Sequence, residues 1–206
     1  MDYNVSSKVE QRGILAGMLL GDSSRRQQNF FIQDTSKQEK YIFFKKELLE
    51  QITGKPVNIR KWQTQQGYNR IRIEPKLIPL TRVLIKKLYQ AGSKTITRQF
   101  LNLLTPQGIA IWFMDDGSKS FKKRQGKVCS VTLYLNTYIS KEENESIVAY
   151  FQQVWGFKWG LSKDKTNYRL RMGTREGKRF ITFISPYIHE SMLYKVQTSL
   201  NVTATT

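Results

Sequence analysis

The sequence contains very little cysteine and histidine. Of its 206 residues, one is cysteine, Cys129, and one is histidine, His189. A single cysteine excludes a disulfide bond within the chain and is typical of a reducing compartment. A single histidine argues against zinc fingers and against nucleases built on several histidines. A histidine-based catalytic triad would have to use His189, which we interpret instead as a structural residue.

Long apolar segments are absent as well. No uncharged apolar run reaches the roughly 18 residues that suggest a membrane span, and the first residues lack a basic segment leading into a signal-peptide core. We therefore expect no membrane partner. The sequence does not identify the compartment, for which the candidates are an organelle (mitochondrion or chloroplast) and a prokaryotic cytoplasm.

Acidic residues are scarce relative to basic ones. The chain has 34 Lys and Arg against 16 Asp and Glu, a formal net charge of +18. Self-repulsion of this size destabilises a compact protein unless a polyanion offsets it, and nucleic acid is the obvious polyanion. The cations are not gathered on one amphipathic helix, which disfavours membrane-surface binding. A ribosomal-type or merely basic protein is the alternative at this point.

The chain contains two similar halves. The segment "GILAGMLLGDS" begins at Gly13 and "IAIWFMDDG" begins at Ile109, and a shift from 22 to 116 places Asp22 on Asp116. "YNRIRIEP" and "YRLRMGT" follow in the same order. Matches that recur in order indicate an internal duplication. We predict an N-terminal half over 1–98 and a C-terminal half over 99–206.

The elements of each half predict an α+β fold. Ser7 and the Thr105-Pro106 pair are typical helix starts before the two apolar segments. Strands with alternating polarity and amphipathic helices follow in both halves. We predict two pseudo-symmetric αββαββα units, with the helices of the two motifs packed at their interface. The antiparallel sheets would form a saddle for DNA.

One face of each predicted sheet is polar and rich in arginine. Ile71 and Ile73 alternate with Arg70 and Arg72, which suits a face that reads base edges in a major groove. A merely solvated sheet face would alternate in the same way. The predicted DNA-binding residues are Arg25, Gln27, Asn29, Asn58, Arg60, Trp62, Thr64, Arg70, Arg72, Lys119, Lys122, Thr132, Tyr134, Asn136, Lys163, Lys165, Arg169 and Arg171.

Two carboxylates end the two apolar helices. Gly13, Gly17 and Gly21 recur every four residues and allow close helix contact, which would bring Asp22 and Asp116 together. Carboxylates at the negative ends of two helices repel one another, and a hard divalent cation such as Mg²⁺ would offset this. Such a site suits metal-dependent phosphodiester hydrolysis, with one cut per DNA strand. Lys94 and Lys195 are candidates to activate water or to neutralise the phosphate.

The segments "LAGMLLGDS" and "IAIWFMDDG" resemble the two motifs of single-chain LAGLIDADG homing endonucleases, and "LTPQGIAIWFMDDGS" resembles the branch with a WFMDDG signature, typically encoded by group I introns. The resemblance covers nearly the whole chain. It implies metal binding by Asp22 and Asp116 and by the carbonyls of Gly21 and Asp115, with Lys94 and Lys195 as central basic residues. It also implies a double-strand break with short 3′ overhangs at a long asymmetric target.

The same resemblance implies a monomer that uses Mg²⁺, for which Mn²⁺ can substitute, whereas Ca²⁺ binds without supporting cleavage. The chain departs from the motif at Ser23, where the last glycine is expected, and at Ile111, where a seam glycine is expected. Asp115 is an additional acid that we expect to approach the metal only through its carbonyl. Two alternatives stay open: an RNA maturase that assists splicing of its host intron, and a DNA-binding protein with inactive acids.

Overall fold

The computed structural model describes residues 3–90, 92–164 and 167–198. In the first half, the helices are α1 (Lys8–Leu20), α2 (Glu39–Thr53) and α3 (Pro79–Leu88). The strands of this half are β1 (Ser23–Arg26), β2 (Asn29–Thr35), β3 (Asn58–Gln63) and β4 (Asn69–Glu74). A short hairpin, β5 (Tyr89–Gln90) and β6 (Ser93–Lys94), and the one-turn helix α4 (Arg98–Leu101) lead into the second half.

The second half repeats this order. Its helices are α5 (Pro106–Asp116), α6 (Lys141–Trp155) and α7 (Thr174–Ile184), and its strands are β7 (Gly117–Arg124), β8 (Lys127–Ile139), β9 (Gly160–Asp164) and β10 (Asn167–Met172). Two 3₁₀ segments follow, Ser185–Tyr187 and Glu190–Lys195. The predicted order αββαββα is therefore confirmed for both halves.

Each half contains a four-stranded antiparallel sheet. The strand orders are β1-β2-β4-β3 and β7-β8-β10-β9. Alternate residues of the central strands are buried beneath the helices, including Ile71, Ile73, Leu133 and Leu135. Since side chains alternate along a strand, the intervening polar residues point away from the helices. Both sheets thus keep one open polar face.

Local sequence explains where the helices begin and end. The Ser7 hydroxyl accepts the amide of Glu10 at the start of α1, and the Thr105 hydroxyl accepts the amide of Gly108 at the start of α5. Ser140 and Glu143 form the expected capping box of α6. α2 and α6 end at Gly54 and Gly156 in the left-handed region (φ 64° and 69°), where glycine has no steric cost.

Some element boundaries differ from the sequence prediction. The amphipathic pattern "LTRVLIKKLYQ" predicts a helix through Gln90, but α3 ends at Leu88 and Tyr89 begins a two-residue strand. The pattern "KRFITFISPYI" predicts a last helix from Lys178, but α7 begins at Thr174, directly after Gly173. Within the described ranges, the structure contains no helix both long and apolar enough to cross a membrane.

Candidate active site and nucleic-acid interface

Helices α1 and α5 pack against each other through glycine. A Cβ added at Gly17 would lie 2.1 Å from the carbonyl oxygen of Gly108, and one added at Gly108 would lie 2.1 Å from the carbonyl oxygen of Gly13. Gly13 itself lies against the Thr105 side chain at the start of α5. No side chain fits at these distances, so the backbones touch. We call Gly13, Gly17 and Gly108 the glycine seam.

The seam differs in one respect from the sequence prediction. The glycine stripe expected on α1 lies in the contact, but α5 contributes Gly108, which we had not selected. On α5, the sequence has Ile111 where a seam glycine is expected, and the small residue Ala110 would also allow close helix contact. Both of these are fully buried, and the close approach occurs one turn earlier on the helix. The two helices run parallel, because contacts advance along both chains from Gly13 and Thr105 to Gly21 and Asp115.

This packing brings the two acids together at the carboxyl ends of the helices. Asp116 is the last residue of α5, and Asp22 follows Gly21, the C-cap of α1. The main-chain amide of Asp22 donates to Oδ2 of Asp115, the neighbour of Asp116, at 3.1 Å. Asp22 thus lies at the carboxyl end of α5, close enough to Asp116 for its charge to raise the pKa of that acid.

The acids carry crowded negative charge. The pKa of Asp22 is raised to about 6, first by burial and then by the nearby charge of Asp115, while the charge of Lys45 opposes the shift. The pKa of Asp116 is raised to about 7, first by burial and then by the charges of Asp115 and Asp22. Both shifts indicate carboxylates whose charge is incompletely compensated by the protein.

Two lysines cap the paired helix ends in matching ways. Lys94 Nζ donates to the carbonyl oxygens of Leu20 and Gly21, and Lys195 Nζ donates to those of Met114 and Asp115. The second pair of carbonyls lies 94 residues after the first, the same shift that relates Asp22 to Asp116. Burial lowers the pKa of both lysines, partly offset by the nearby acids. The positive charges also complement the negative ends of the helices.

Sequence reasoning missed a buried cluster beside the acids. The side chains of Lys45 and Asp115 are both completely buried, and Lys45 Nζ lies 2.5 Å from Asp115 Oδ1. The Tyr41 hydroxyl donates to the same oxygen at 2.8 Å. The Asp115 carboxylate is thus bound by protein donors, whereas its carbonyl faces Lys195. A signal existed, because Lys45 interrupts the buried stripe of α2 that includes Tyr41 and Leu48.

The polar face of the first sheet carries arginine rows as expected. Arg72 pairs across the sheet with Gln33 and Arg60, and Arg70 pairs with Thr35 and Trp62. The Arg72 guanidinium lies 4.0 Å from the centroid of the Phe31 ring and donates to Gln33. Gln33 and Phe31 are therefore part of this face, although neither is among the predicted DNA-binding residues.

The edge of the first sheet corrects one predicted contact. Arg25 lies opposite Phe30, which is buried under the helices, so Arg25 belongs to the helix side of the sheet. Its guanidinium lies 5.5 Å from the centroid of the Tyr89 ring. Arg26 occupies the polar face instead and pairs with Glu74 at 2.9 Å.

The remaining selected residues of the first half lie along the polar face or at its turns. Asn29 is opposite Arg26, and its amide donates to the carbonyl of Pro75. Asn58 is opposite Glu74 on the outer strand. Gln27 and Thr64 lie at the ends of their hairpins, with Gln27 exposed and at positive φ (55°).

The polar face of the second sheet is built on similar rows. Tyr134 lies between Ser118 and Arg171, and Thr132 and Lys122 lie opposite Ser120 and Ser130. The Arg169 guanidinium lies 4.0 Å from the centroid of the Tyr134 ring and 3.5 Å from Asp164. Asn136 donates to the carbonyl of Asp116 at 2.7 Å, which links the sheet to the acid pair.

Two predicted contacts of the second half lie on the other side of the sheet. Lys119 is opposite the buried Leu133, and its ammonium donates to the carbonyls of Tyr194 and Gln197. Lys163 shares the face of Leu161 and Leu170, according to the strand register. Lys165 lies outside the described residues.

Comparison with known proteins identifies the family. The model of the LAGLIDADG DNA endonuclease family matches residues 12–180, a range that includes both acids and both sheets. The chain belongs to the LAGLIDADG DNA endonuclease family. The resemblance seen in the two motifs is therefore confirmed.

Individual relatives of this LAGLIDADG protein include a maturase and a probable intron-encoded endonuclease. The chain is 27% identical over 210 residues to "Cytochrome b mRNA maturase bI2" of Debaryomyces hansenii, covering 95% of this chain and 77% of the relative. It is 23% identical over 203 residues to "Probable intron-encoded endonuclease 1" of Wickerhamomyces canadensis, covering 94% and 86%.

Solved structures share the fold. The homing endonuclease I-WcaI bound to its DNA recognition sequence superposes with a TM-score of 0.77 at 23% identity, over 94% of this chain and 88% of that chain. Meganuclease I-SmaMI bound to uncleaveable DNA has a TM-score of 0.54 at 14% identity, over 88% and 85%. These similarities confirm the predicted two-half α+β architecture.

The lone histidine of this LAGLIDADG protein has a structural environment. His189 is buried, with its ring 4.9 Å from the Phe44 ring, and its Nδ1 lies 2.7 Å from the Ser191 hydroxyl. Burial lowers its pKa. These contacts agree with the structural interpretation of His189.

Proposed function

We propose that this protein is a site-specific homing endonuclease that makes a double-strand break in DNA, with Asp22 and Asp116 as the metal-binding catalytic acids. The observation that carries the proposal is the convergence of the two acids at the ends of helices held together by the glycine seam. Each acid comes from one half, and each half also supplies one polar sheet face. One chain therefore supplies one acid for each DNA strand, so a monomer is enough to cut both strands.

The donor atoms at this site suit a hard divalent cation. Asp22 and Asp116 are carboxylates with raised pKa values, which a cation would lower. The carbonyls of Gly21 and Asp115 are adjacent oxygen donors. Among the residues that the structure describes, no cluster of three or more His, Cys, Asp or Glu side chains forms a metal site. A site with few protein oxygen ligands suits Mg²⁺, which keeps several water ligands and also binds substrate phosphate.

The cation would supply an activated water and stabilise charge on the scissile phosphate. Lys94 and Lys195 would neutralise charge on the same phosphate or hold a proton of the attacking water. Their lowered pKa values suit this role, because an ammonium that loses its proton more readily is a better acid or base near neutral pH. Trp112 Nε1 donates to Asp116 Oδ2 at 3.1 Å and orients that acid.

The two polar sheet faces would bind the target duplex. A two-stranded ribbon fits the major groove, where arginine pairs with guanine and asparagine or glutamine with adenine. The rows of the two sheets differ in sequence, so each half would read a different half-site, and the complete target would be asymmetric. I-WcaI is bound to its DNA recognition sequence, which supports DNA as the partner of this fold.

The test is selection of cleaved sites from a randomised duplex library. We expect the protein to cut a defined subset of sequences with Mg²⁺ or Mn²⁺, leaving short 3′ overhangs. Ca²⁺ should support binding without cleavage, in line with I-SmaMI bound to uncleaved DNA in the presence of calcium ions. Asp22→Asn and Asp116→Asn should each abolish the double-strand break and retain DNA affinity in Ca²⁺. Full cleavage by both variants would remove the acids from the mechanism.

A second function, assistance in intron splicing, is favoured by one finding. The relative from Debaryomyces hansenii is described as a maturase and aligns over 95% of this chain. A basic protein can bind structured RNA through its shape and its backbone. We would measure splicing of a host-intron transcript with wild-type protein and with Asp22→Asn/Asp116→Asn. Splicing by both proteins would establish a maturase function separate from cleavage.

A third possibility is a DNA-binding protein without catalysis. The library selection decides it, because such a protein would enrich bound sequences but leave them uncut in Mg²⁺ and Mn²⁺.

A further inference from the structure

Lys45 is a fully buried lysine at the junction of the two halves. It lies on α2 of the first half, and its ammonium bonds to Asp115 of α5 in the second half. The ammonium also lies 4.4 Å from the centroid of the Tyr41 ring. A buried ammonium is costly unless it is paired and hydrogen-bonded. Lys45 meets this requirement, because its ammonium is paired with the equally buried carboxylate of Asp115.

The Asp115 carboxylate connects this lysine to the first catalytic acid. Its Oδ1 accepts from Lys45 and Tyr41, and its Oδ2 accepts from the main-chain amide of Asp22 at 3.1 Å. Lys45 Nζ lies 3.9 Å from Asp22 Oδ2. The cluster thus holds the backbone of Asp22 and places one positive charge beside its carboxylate.

Asp116 is held by different groups. Its carboxylate accepts the Trp112 indole N–H, and its carbonyl accepts the Asn136 amide. The shift of 94 residues relates Asp115 to Gly21 and Trp112 to Met18, neither of which can make the corresponding side-chain bond. Lys45 and Ile147 have the same position relative to the glycines that end α2 and α6, and Ile147 is buried and apolar.

We propose that Asp115 is a positioning residue for Asp22, that Lys45 is its buried counter-ion, and that this pair makes the two strand cleavages unequal in their residue requirements. One acid depends on a charged cluster that crosses between the halves, and the other depends on an indole from its own helix. This inference rests on the proposed endonuclease function, but its structural part can be measured without cleavage.

The first variant removes both charges together. Asp115→Gly/Lys45→Met leaves no unpaired buried charge, and methionine can follow the aliphatic path of the lysine. Lys46→Met is the matched control, because Lys46 pairs with Glu50 on the partly exposed side of the same helix. Thermal unfolding of both variants establishes that they are folded before the next measurements.

The first readout needs no cleavage. It is the hydrogen exchange rate and the proton resonance of the Asp22 main-chain amide, measured in ¹⁵N-labelled protein. Loss of its carboxylate acceptor should speed hydrogen exchange of this amide by about tenfold or more, and its proton resonance should move upfield. The Asp116 amide should be unaffected in exchange rate. An unchanged Asp22 amide in the folded variant, or the same acceleration at Asp116, would overturn the positioning role.

The second readout is strand-resolved cleavage of the selected target, with a different label on each strand. The double variant should slow the strand that Asp22→Asn slows most by about tenfold or more, with little change on the other strand. Trp112→Phe, which removes the N–H bonded to Asp116, should show the opposite strand preference. Equal slowing of both strands by the double variant would contradict the inference.

A second variant covers the case in which the first does not fold. Asp115→Asn keeps the size of the side chain. The amide oxygen of the new asparagine must face Lys45, because an ammonium cannot accept a hydrogen bond. The amide nitrogen then faces Asp22 and cannot accept its N–H, so the same two readouts apply. If wild-type protein cuts neither strand, the proposed function fails, whereas the Asp22 amide still decides the positioning role.

Discussion

The space beside Gly21 is occupied by the carboxylate of Asp115. A Cβ at Gly21 would lie 2.2 Å from Asp115 Oδ2 and 2.6 Å from Asp115 Cβ. The φ of Gly21 is negative (−78°), so a left-handed conformation is not what places glycine here. The acid across the helix interface therefore leaves no room for a side chain at this position.

This contact predicts that the stability cost of a side chain at Gly21 depends on the presence of Asp115. Gly21→Ala should lower the free energy of unfolding by about 2 kcal/mol in the wild-type background, because the added methyl overpacks the interface. The same change in the Asp115→Gly/Lys45→Met background should cost much less, since the clashing atoms are gone. Urea denaturation of the four proteins measures both costs. Equal costs in the two backgrounds would show that Asp115 does not set the requirement.

The sequence predicted the acids and lysines of the site but not their buried support. Asp22, Asp116, Lys94 and Lys195 could be selected because both halves repeat them. Lys45 and Asp115 have no such repeat, and they are 70 residues apart. A lysine within an apolar stripe indicates a buried partner, but only the packing of α2 against the carboxyl end of α5 identifies that partner.

Secondary-structure elements were predicted well where capping and periodicity are strong. Ser7, Thr105 and Ser140 predicted helix starts, and alternating residues predicted the β3-β4 and β9-β10 hairpins. The segments "SSRR" and "GSKSFKKR" of β1 and β7 have no apolar alternation, so their register could not be deduced. For this reason Arg25 and Lys119 were selected for DNA binding, although both belong to the helix sides of their sheets.

The close packing of α1 against α5 predicts that a single methyl group added at the glycine seam strongly lowers the free energy of unfolding. Gly17→Ala would place Cβ 2.1 Å from a main-chain oxygen that cannot rotate away, and we expect a loss of about 3 kcal/mol in unfolding free energy. The higher helix propensity of alanine offsets this by at most about 1 kcal/mol. Chemical denaturation gives the value.

Gly173→Ala is the matched control for the seam. Nothing lies within 4 Å of a Cβ added there, so this change should cost no more than about 1 kcal/mol, the loss of a favoured residue at the N-cap of α7. If Gly17→Ala and Gly173→Ala were equally stable, the two helices would not touch through the glycine seam.

For the whole molecule, the net charge of +18 and the two polar sheet faces act on the same partner. Charge supplies affinity for any duplex, whereas residues on the faces select sequence. The structure places Arg70 in the first sheet and Arg169 in the second, so each would affect one half-site. The division of the chain at residues 98 and 99 stays a prediction, as do the intracellular location and the individual DNA contacts.

Half-site specificity gives a prediction for the complete protein. Arg70→Ala should relax base preference at one or a few positions of one half-site, and Arg169→Ala should do so in the other half-site. Each lost base contact is worth about 1–3 kcal/mol of discrimination. Sequencing of cleaved library members measures the preference at every position. Loss of preference across both half-sites from either single change would contradict separate reading by the two sheets.

The most direct test of the proposed mechanism is anomalous diffraction from crystals of the protein bound to its selected DNA with Mn²⁺. We expect manganese within about 2.2 Å of carboxylate oxygens of both Asp22 and Asp116, with a scissile phosphate of each strand beside the metal. Manganese at other positions, or phosphates bound while these two carboxylates hold no metal, would contradict the account.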